Sequence, residues 1–174
     1  METAIESGVS ITPTETEEDL TATITLFKAY AHSLGIDLTF QDFTTELSSL
    51  PGKYSPSSNG ALFLARLAST GQAVGCVGLR AMSQPDICEI KRLYVDPAGR
   101  GLGIGRKLVE RVIREARKLG YRACLLDTLP QMVEARGLYK SLGFGEVEAY
   151  YETPLEGTVF LRLDLRDDGR EGGL

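Results

Sequence analysis

A candidate phosphate site lies in the run Arg100-Gly101-Leu102-Gly103-Ile104-Gly105. The run follows a strand-like apolar segment at 90–95 and precedes a segment with helical spacing of apolar residues. A glycine-rich turn at the start of a helix lets several backbone N–H groups point at one anion, and the helix dipole favours negative charge there. The run therefore predicts a phosphate or pyrophosphate site.

Two common phosphate loops do not fit this run. A P-loop needs Lys and then Ser or Thr after its last glycine, but Gly105 is followed by Arg106, Lys107 and Leu108. A dinucleotide-binding loop needs G-x-G-x-x-G, and the third glycine is replaced by Arg106 or Leu108, depending on which pair begins the motif. The remaining pattern is R-x-x-G-x-G, which ordinary turns can also contain.

The other reactive residue types give no covalent or metal site. The only histidine, His32, lies in the predicted first helix, so no Cys–His–acid set is evident, and we expect no metal. Cys76, Cys88 and Cys124 lie in apolar segments and are expected to be buried, reduced thiols in a cytoplasmic protein.

Helices and a hairpin are expected ahead of the glycine run. Apolar spacing predicts a first strand at 9–11, a helix over about 17–34 that ends at Gly35, and a second helix capped by Thr39. Three apolar segments then predict strands at 61–68, 73–82 and 87–95, the first two forming a hairpin.

Helices alternate with strands after the run. The helix that follows it should bury Leu108, Val112, Ala116 and Leu119 and end at Gly120. Further elements are expected in the order strand 121–126, helix 131–142, strand 144–151 and strand 157–165.

This element order predicts an α/β (α+β) fold, with a mixed, mostly antiparallel twisted sheet flanked by about four helices. We expect one domain over residues 9–165, a disordered N-terminus at 1–8 and a loose tail at 166–174.

Charge is unevenly distributed along the chain. The net charge of −5 argues against a general nucleic-acid-binding protein, and no apolar run is long enough to span a membrane. Residues 91–118 hold nine Lys or Arg against three acids, whereas residues 1–60 hold two against nine. The basic part could attract an anionic substrate, and the acidic part slightly favours a cationic small amine, although both could be solvated surfaces.

Two motifs in sequence resemble the GNAT superfamily of acyl-CoA-dependent N-acyltransferases. Residues 88–97, CEIKRLYVDP, resemble the family's fourth strand and lead into the glycine run. About forty residues later, ARGLYKSLGF at 135–144 resembles the A-x-x-L-Y-x-x-L-G-F signature. The resemblance covers roughly residues 61–165 and implies acetyl transfer from acetyl-CoA to an amine, by direct attack in a ternary complex.

The resemblance implies a donor site along the fourth strand and the glycine run. Backbone groups of Leu93, Tyr94 and Val95 should pair with pantetheine, and one N–H of Leu93 or Val95 should stabilise the oxyanion. The pyrophosphate should bind backbone N–H groups of the run and the residue after it, with Arg100 at its start; these residues are Arg100, Gly101, Leu102, Gly103, Ile104, Gly105 and Arg106. Glycines allow φ > 0 or close approach there.

The resemblance also implies two catalytic side chains. Tyr139 should protonate or hydrogen-bond the leaving thiolate, and Glu89 matches the position of the family's general base. The alternatives are a packed helix tyrosine and an exposed strand glutamate. Tyr54, Tyr150 and Tyr151 could border the acceptor site, although surface or core packing roles are favoured for them.

One position departs from the family pattern. Met132 stands where an asparagine often binds the pantetheine arm, so that contact is missing or supplied by another group such as Gln131. The rival function is a non-catalytic acyl-CoA sensor or structural protein, which Phe in place of Tyr139 or a broken glycine run would have favoured. The acceptor cannot be identified from the sequence, and a homodimer is one expected assembly because dimers are common in the family.

Overall fold

In the part of the chain that the structure describes, seven strands form one mixed sheet in the order β1-β2-β3-β4-β5-β7-β6. The computed structural model describes residues 8–38 and 41–165. All neighbouring strands are antiparallel except β4 and β5, which are parallel. The strands are β1 Val9–Pro13, β2 Ala61–Leu67, β3 Ala73–Ala81, β4 Ile87–Val95, β5 Ala123–Thr128, β6 Gly145–Val147 and β7 Val159–Asp164.

Within the described residues, four α-helices accompany the sheet: α1 Glu17–Leu34, α2 Phe43–Ser49, α3 Ile104–Lys118 and α4 Val133–Ser141. The predicted fold class is confirmed. On one side, the apolar stripe of α3 packs in the main core with residues of β1 to β5. On the other, Leu26 and Phe27 of α1 pack with Tyr54 and Leu64. No helix in 8–38 or 41–165 combines the length and apolarity that crossing a bilayer requires.

The first helix forms where its sequence predicts. Thr16 caps its N-terminus: the Thr16 hydroxyl accepts the Asp19 N–H, and the Asp19 carboxylate accepts the Thr16 N–H. This reciprocal pair satisfies N–H groups that the first helical turn leaves without partners. Gly35 ends the helix at φ 63°, a conformation that residues with a Cβ adopt at a cost.

Several boundaries differ from the sequence expectations. α2 begins at Phe43 with Asp42 as its N-cap, so the expected cap at Thr39 is wrong as a helix start; Thr39 itself lies outside the described residues. β5 begins two residues later than expected because the backbone turns through Gly120, at φ 86°, before it. Leu119, expected to be buried, is 38% exposed because it follows the last residue of α3.

Both predicted terminal segments fall largely outside the described residues. Residues 1–7 and 166–174 are not described, so the expected disorder at 1–8 and the loose tail at 166–174 stay predictions. Gly8 is described, and its carbonyl accepts the Ala68 N–H. The three cysteines are free and buried, as expected.

The parallel pair β4–β5 separates part-way along its length. Paired positions are Ile87 with Ala123, Cys88 with Cys124, and Glu89 with Leu125, whereas β4 continues to Val95 and β5 to Thr128. The pairing of β4 with β3 also shifts between Gly78 and Cys76, which is the sign of a β-bulge. A gap therefore opens between the two strands beyond Glu89.

Arg92 fixes the bulge in β4. Its φ is 60°, an uncommon value for a residue with a side chain. The buried guanidinium donates to the buried Glu46 carboxylate at 2.8 Å and lies over the Phe43 and Tyr30 rings. Because Glu46 and Phe43 belong to α2, this contact ties α2 to the point where β4 bends.

Candidate active site

A cavity of about 700 Å³ occupies the region where β4 leaves β5. β4 contributes one wall, the glycine turn and the start of α3 a second, and residues 131–138 at α4 a third. Eight of the ten residues expected to bind the donor line it: Leu93, Tyr94, Val95, Arg100, Gly101, Gly103, Ile104 and Gly105. The structure therefore brings together the two segments that the sequence singled out.

The other two expected donor residues lie outside this lining. Leu102 is 44% exposed, and Arg106 donates to the Ser141 hydroxyl at 2.6 Å and pairs with Glu110 at 3.5 Å. A role for their backbone N–H groups stays a prediction.

The glycine turn leaves backbone N–H groups available at one end of the cavity. Gly101 and Gly103 have φ of 81° and 69°, so here glycine is needed for conformation. Gly103 is the N-cap of α3, and the Lys107 N–H is the first to bond inside the helix. Within the described chain, the N–H groups of Ile104, Gly105 and Arg106 therefore have no acceptor, which makes this helix start a suitable anion site.

Gly105 is not required by the backbone conformation. It lies inside α3 and has no positive φ, and a Cβ would meet only Leu138 at 3.6 Å and Val95 at 3.9 Å. Gly105, Leu138 and Val95 all line the large cavity. Of the two reasons expected for glycine in the run, positive φ applies to Gly101 and Gly103, and room for close approach is the one that fits Gly105.

A second, smaller cavity of about 30 Å³ adjoins the first. Tyr30, Leu93 and Met132 line both, so the two spaces meet beside the bulged part of β4. The small cavity is otherwise lined by Gln41, Ile90, Lys91, Arg92, Asp127, Thr128, Leu129 and Tyr139. Its lining is rich in polar and charged side chains, unlike the apolar core around it.

Tyr139 reaches the small cavity from α4. Its side chain is 5% exposed and its ring packs edge-on against Phe144, with centroids 5.6 Å apart. In the described part of the chain its hydroxyl has no hydrogen-bond partner. Burial raises the pKa of Tyr139 well above its ordinary value, with a smaller contribution from Tyr30 and Asp127. The phenol is therefore protonated and available as a donor.

Glu89 is buried and fully engaged, not exposed. It is 1% exposed; one carboxylate oxygen accepts from Arg80 Nε at 2.7 Å and the other from the Tyr150 hydroxyl at 2.5 Å. Burial alone would raise the pKa of Glu89, but the charges of Lys91 and Arg80 and the two hydrogen bonds lower it below its ordinary value. Glu89 lines neither cavity, so a proton would reach it only through another group.

Lys91 and Asp127 are charged residues of the small cavity that were not predicted from the sequence. Lys91 lies two residues after Glu89 on β4, and Asp127 accepts a hydrogen bond from the Tyr151 hydroxyl at 2.6 Å. Burial lowers the pKa of Lys91, against the opposing charges of Glu89 and Asp127. Asp127 is the one charged residue of β5, and Lys91 is one of three charged residues in β4, so charged residues inside largely buried strands were the signal that could have drawn attention to them.

Met132 is the N-cap residue of α4 and lines both cavities. Its sulfur lies 3.8 Å from the Thr128 hydroxyl. Gln131, the suggested substitute for the family's asparagine, lines the large cavity. An amide side chain is thus present beside the expected donor arm.

Known proteins resemble this chain over most of its length. Residues 17–144 match the model of the acetyltransferase (GNAT) family. An uncharacterised N-acetyltransferase of Schizosaccharomyces pombe is 40% identical, over 91% of this chain and 96% of its own. N-acetylaspartate synthetase of Danio rerio is 32% identical, over 80% of this chain and 54% of its own.

A solved structure agrees with the fold. The structure of yncA from Salmonella typhimurium, which contains acetyl-CoA, superposes with a TM-score of 0.70 at 21% identity, over 92% of this chain and 95% of that one. Together with the match of the family model to most of the described residues, these likenesses identify the chain as a member of the GNAT acetyltransferase family.

Proposed function

We propose that this protein transfers the acetyl group of acetyl-CoA to the primary amine of a small molecule, by direct attack in a ternary complex. The observation that carries the proposal is the junction of the two cavities at Tyr30, Leu93 and Met132. A donor arm lying along β4 in the large cavity would end beside the small cavity, which Tyr139 lines.

The residues of the large cavity fit an acyl-CoA. The free N–H groups at the start of α3 would bind the pyrophosphate, with Arg100 beside them. β4 has no β5 partner beyond Glu89, so backbone groups of Leu93 and Val95 can pair with the pantetheine amides as an added strand would. One of their N–H groups would stabilise the oxyanion.

Two side chains would move protons. Tyr139 would donate a hydrogen bond or a proton to the departing thiolate, since its buried phenol is protonated at neutral pH. Glu89 would receive the amine proton indirectly, through the Tyr150 hydroxyl or a water, since it lines neither cavity. Its lowered pKa keeps it ionised and so able to accept a proton.

A first experiment separates donor binding from other nucleotide binding. Acetyl-CoA at about 100 times its Kd should stabilise the folded state by about 2.7 kcal/mol, an increase in Tm of about 5–10 °C. ATP and NAD at the same concentration should give no increase. Equal stabilisation by all three compounds would contradict the donor assignment.

A second experiment tests turnover. Release of CoA thiol should depend on an amine from a panel of small amines and amino acids; amino acids belong in it because the Danio rerio relative is named for an N-acetylated amino acid. Tight acetyl-CoA binding without release of CoA thiol with any acceptor would favour the non-catalytic sensor instead.

We further propose a cytoplasmic location, which three free, buried thiols support.

A further inference from the structure

Two opposite charges face each other across the gap between β4 and β5. The register of the parallel pair joins residues 36 positions apart, as in Ile87 with Ala123 and Glu89 with Leu125. Continued by two residues, it would place Lys91 opposite Asp127. The strands have separated there, and both side chains line the small cavity instead of pairing across a ladder.

Neither charge is neutralised by a close ion pair. Among the described residues, the Lys91 ammonium has no carboxylate within 4.0 Å, and its hydrogen-bond partner is Gln41 Oε1 at 3.5 Å. Asp127 likewise has no cation within that distance in the described chain and accepts from the Tyr151 hydroxyl. Both residues are only partly exposed, and a partly buried charge without an ion-pair partner is costly, so both groups are suited to a ligand that supplies the missing charges.

The neighbouring cations are already paired. Arg80 donates to Glu89 at 2.7 Å, and Arg92 donates to Glu46 at 2.8 Å. Lys91 is therefore the cation that the small cavity leaves for an anionic group. Its position on β4, two residues before Leu93, brings that group close to the junction with the large cavity.

We propose that Lys91 binds the carboxylate and Asp127 the amino group of the acceptor, so that the acceptor is an amino acid. This inference rests on the proposed acetyl transfer and names the substrate class for it. A zwitterion satisfies both charges at once, whereas a simple amine satisfies only Asp127.

The local charges point away from the cationic amine that the acidic N-terminal part slightly favoured. The residues of 1–60 that line the small cavity are Tyr30 and Gln41, and both are uncharged. None of the seven acids of that segment that lie in the described residues lines the small cavity.

The test compares amino acids with their α-amides, which keep the amine and the side chain but lose the carboxylate. Glycine, L-alanine and L-aspartate are each paired with the corresponding α-amide, and CoA thiol release gives kcat and KM. The wild-type protein should prefer the acid by about tenfold or more in kcat/KM, the effect expected of a charged hydrogen bond. Equal use of acid and amide would overturn the proposal.

Substitutions at the two positions separate their roles. Lys91→Met should raise the KM for the acids about tenfold or more and leave the KM for the amides unchanged. Lys91→Arg should retain the preference for the acid over the amide. Asp127→Asn should weaken the binding of acids and amides alike, because both carry the amino group. Lys118→Met, at the exposed end of α3, is the matched control and should behave as wild type. Equal loss with acids and amides in Lys91→Met would contradict a carboxylate-binding role.

A binding measurement distinguishes this inference from the proposed function. Calorimetry with the protein saturated with CoA reports binding of the same amino acids without turnover. Lys91-dependent binding without any turnover would refute the proposed function but support the amino-acid site. Turnover of simple amines without preference for carboxylates would support the proposed function but refute the amino-acid site. If the amino acids are neither bound nor acetylated, the inference is overturned.

Discussion

The Tyr139 hydroxyl is the group whose removal most directly tests the chemistry. Tyr139→Phe keeps the ring packed against Phe144 and removes only the proton donor. We expect kcat to fall by about 10²–10⁴-fold, the usual contribution of a general acid, with little change in the KM for acetyl-CoA. Steady-state kinetics with the best acceptor measure both constants.

A tyrosine elsewhere provides the control for that substitution. The Tyr121 hydroxyl donates to the Asn59 carbonyl and lies outside both cavities. Tyr121→Phe should leave kcat unchanged. An unchanged kcat in Tyr139→Phe as well would remove the proposed acid role of Tyr139.

The lowered pKa of Glu89 predicts how kcat depends on pH. Its lowered pKa means that it is ionised above about pH 4.5, its ordinary value, so loss of kcat through its protonation should begin only below that pH. Glu89→Gln should abolish this acidic limb and reduce kcat across the profile. The measurement is the pH dependence of kcat with saturating substrates.

The exposed Glu110 offers the comparison, since its partner Arg106 is also exposed. Glu110→Gln should reproduce the wild-type profile. A Glu89→Gln profile identical to wild type would move the base role to another group, for which Asp127 at the small cavity is the next to test.

At the scale of elements, the start of α3 and the middle of α4 offer a matched pair of glycines. Gly105 and Gly137 both lie inside helices without positive φ, but only Gly105 lines the large cavity. Replacing either by Ala should raise the free energy of unfolding by up to about 1 kcal/mol, because glycine is a poor helix former.

Only one of the two substitutions should affect the donor. Gly105→Ala places a methyl group beside Leu138 and Val95, so acetyl-CoA binding should weaken several-fold, whereas Gly137→Ala should bind as wild type. Calorimetric titration with acetyl-CoA and urea unfolding measure the two effects. Equal affinity in both variants would show that the donor does not approach Gly105.

Local signals explain which elements could be predicted from the sequence. The capping residues and the helical spacing of α1 lie within its own segment, so its bounds were predicted and confirmed. The start of α2 was not predicted, because it is set by the buried contact of Glu46 with Arg92, which lies in β4, far along the chain. Such long-range contacts leave no local pattern.

The same distinction holds for the site. The glycine run and Tyr139 belong to contiguous motifs, so the sequence alone predicts them as site residues, and both border the cavities of the fold. Lys91 and Asp127 become neighbours of one cavity only because β4 bends at Arg92 and separates from β5. No pattern within either strand alone reveals that separation.

At the scale of the whole molecule, depressed carboxyl pKa values link stability to acid. The pKa values of Asp19, Glu46 and Glu89 all lie below their ordinary values, so the folded state releases these protons more readily than the unfolded chain. Their contribution is therefore complete above about pH 4.5 and is lost as the pH falls through the folded pKa values. The free energy of unfolding in urea should decrease below that pH.

Glu46 should account for much of this loss. Burial opposes its charge, but Arg92 and then Lys53 outweigh burial and lower its pKa. Glu46→Gln leaves the buried Arg92 without its carboxylate and should cost about 3–5 kcal/mol at pH 7. The difference from wild type should shrink as the pH falls below 4.5 and through the lowered pKa of Glu46, because the wild-type carboxyl then becomes protonated as well. Glu110→Gln, in an exposed pair, should have a free energy of unfolding within about 0.5 kcal/mol of wild type. If the loss of stability in Glu46→Gln does not change with pH, lost packing and not lost charge destabilises that variant.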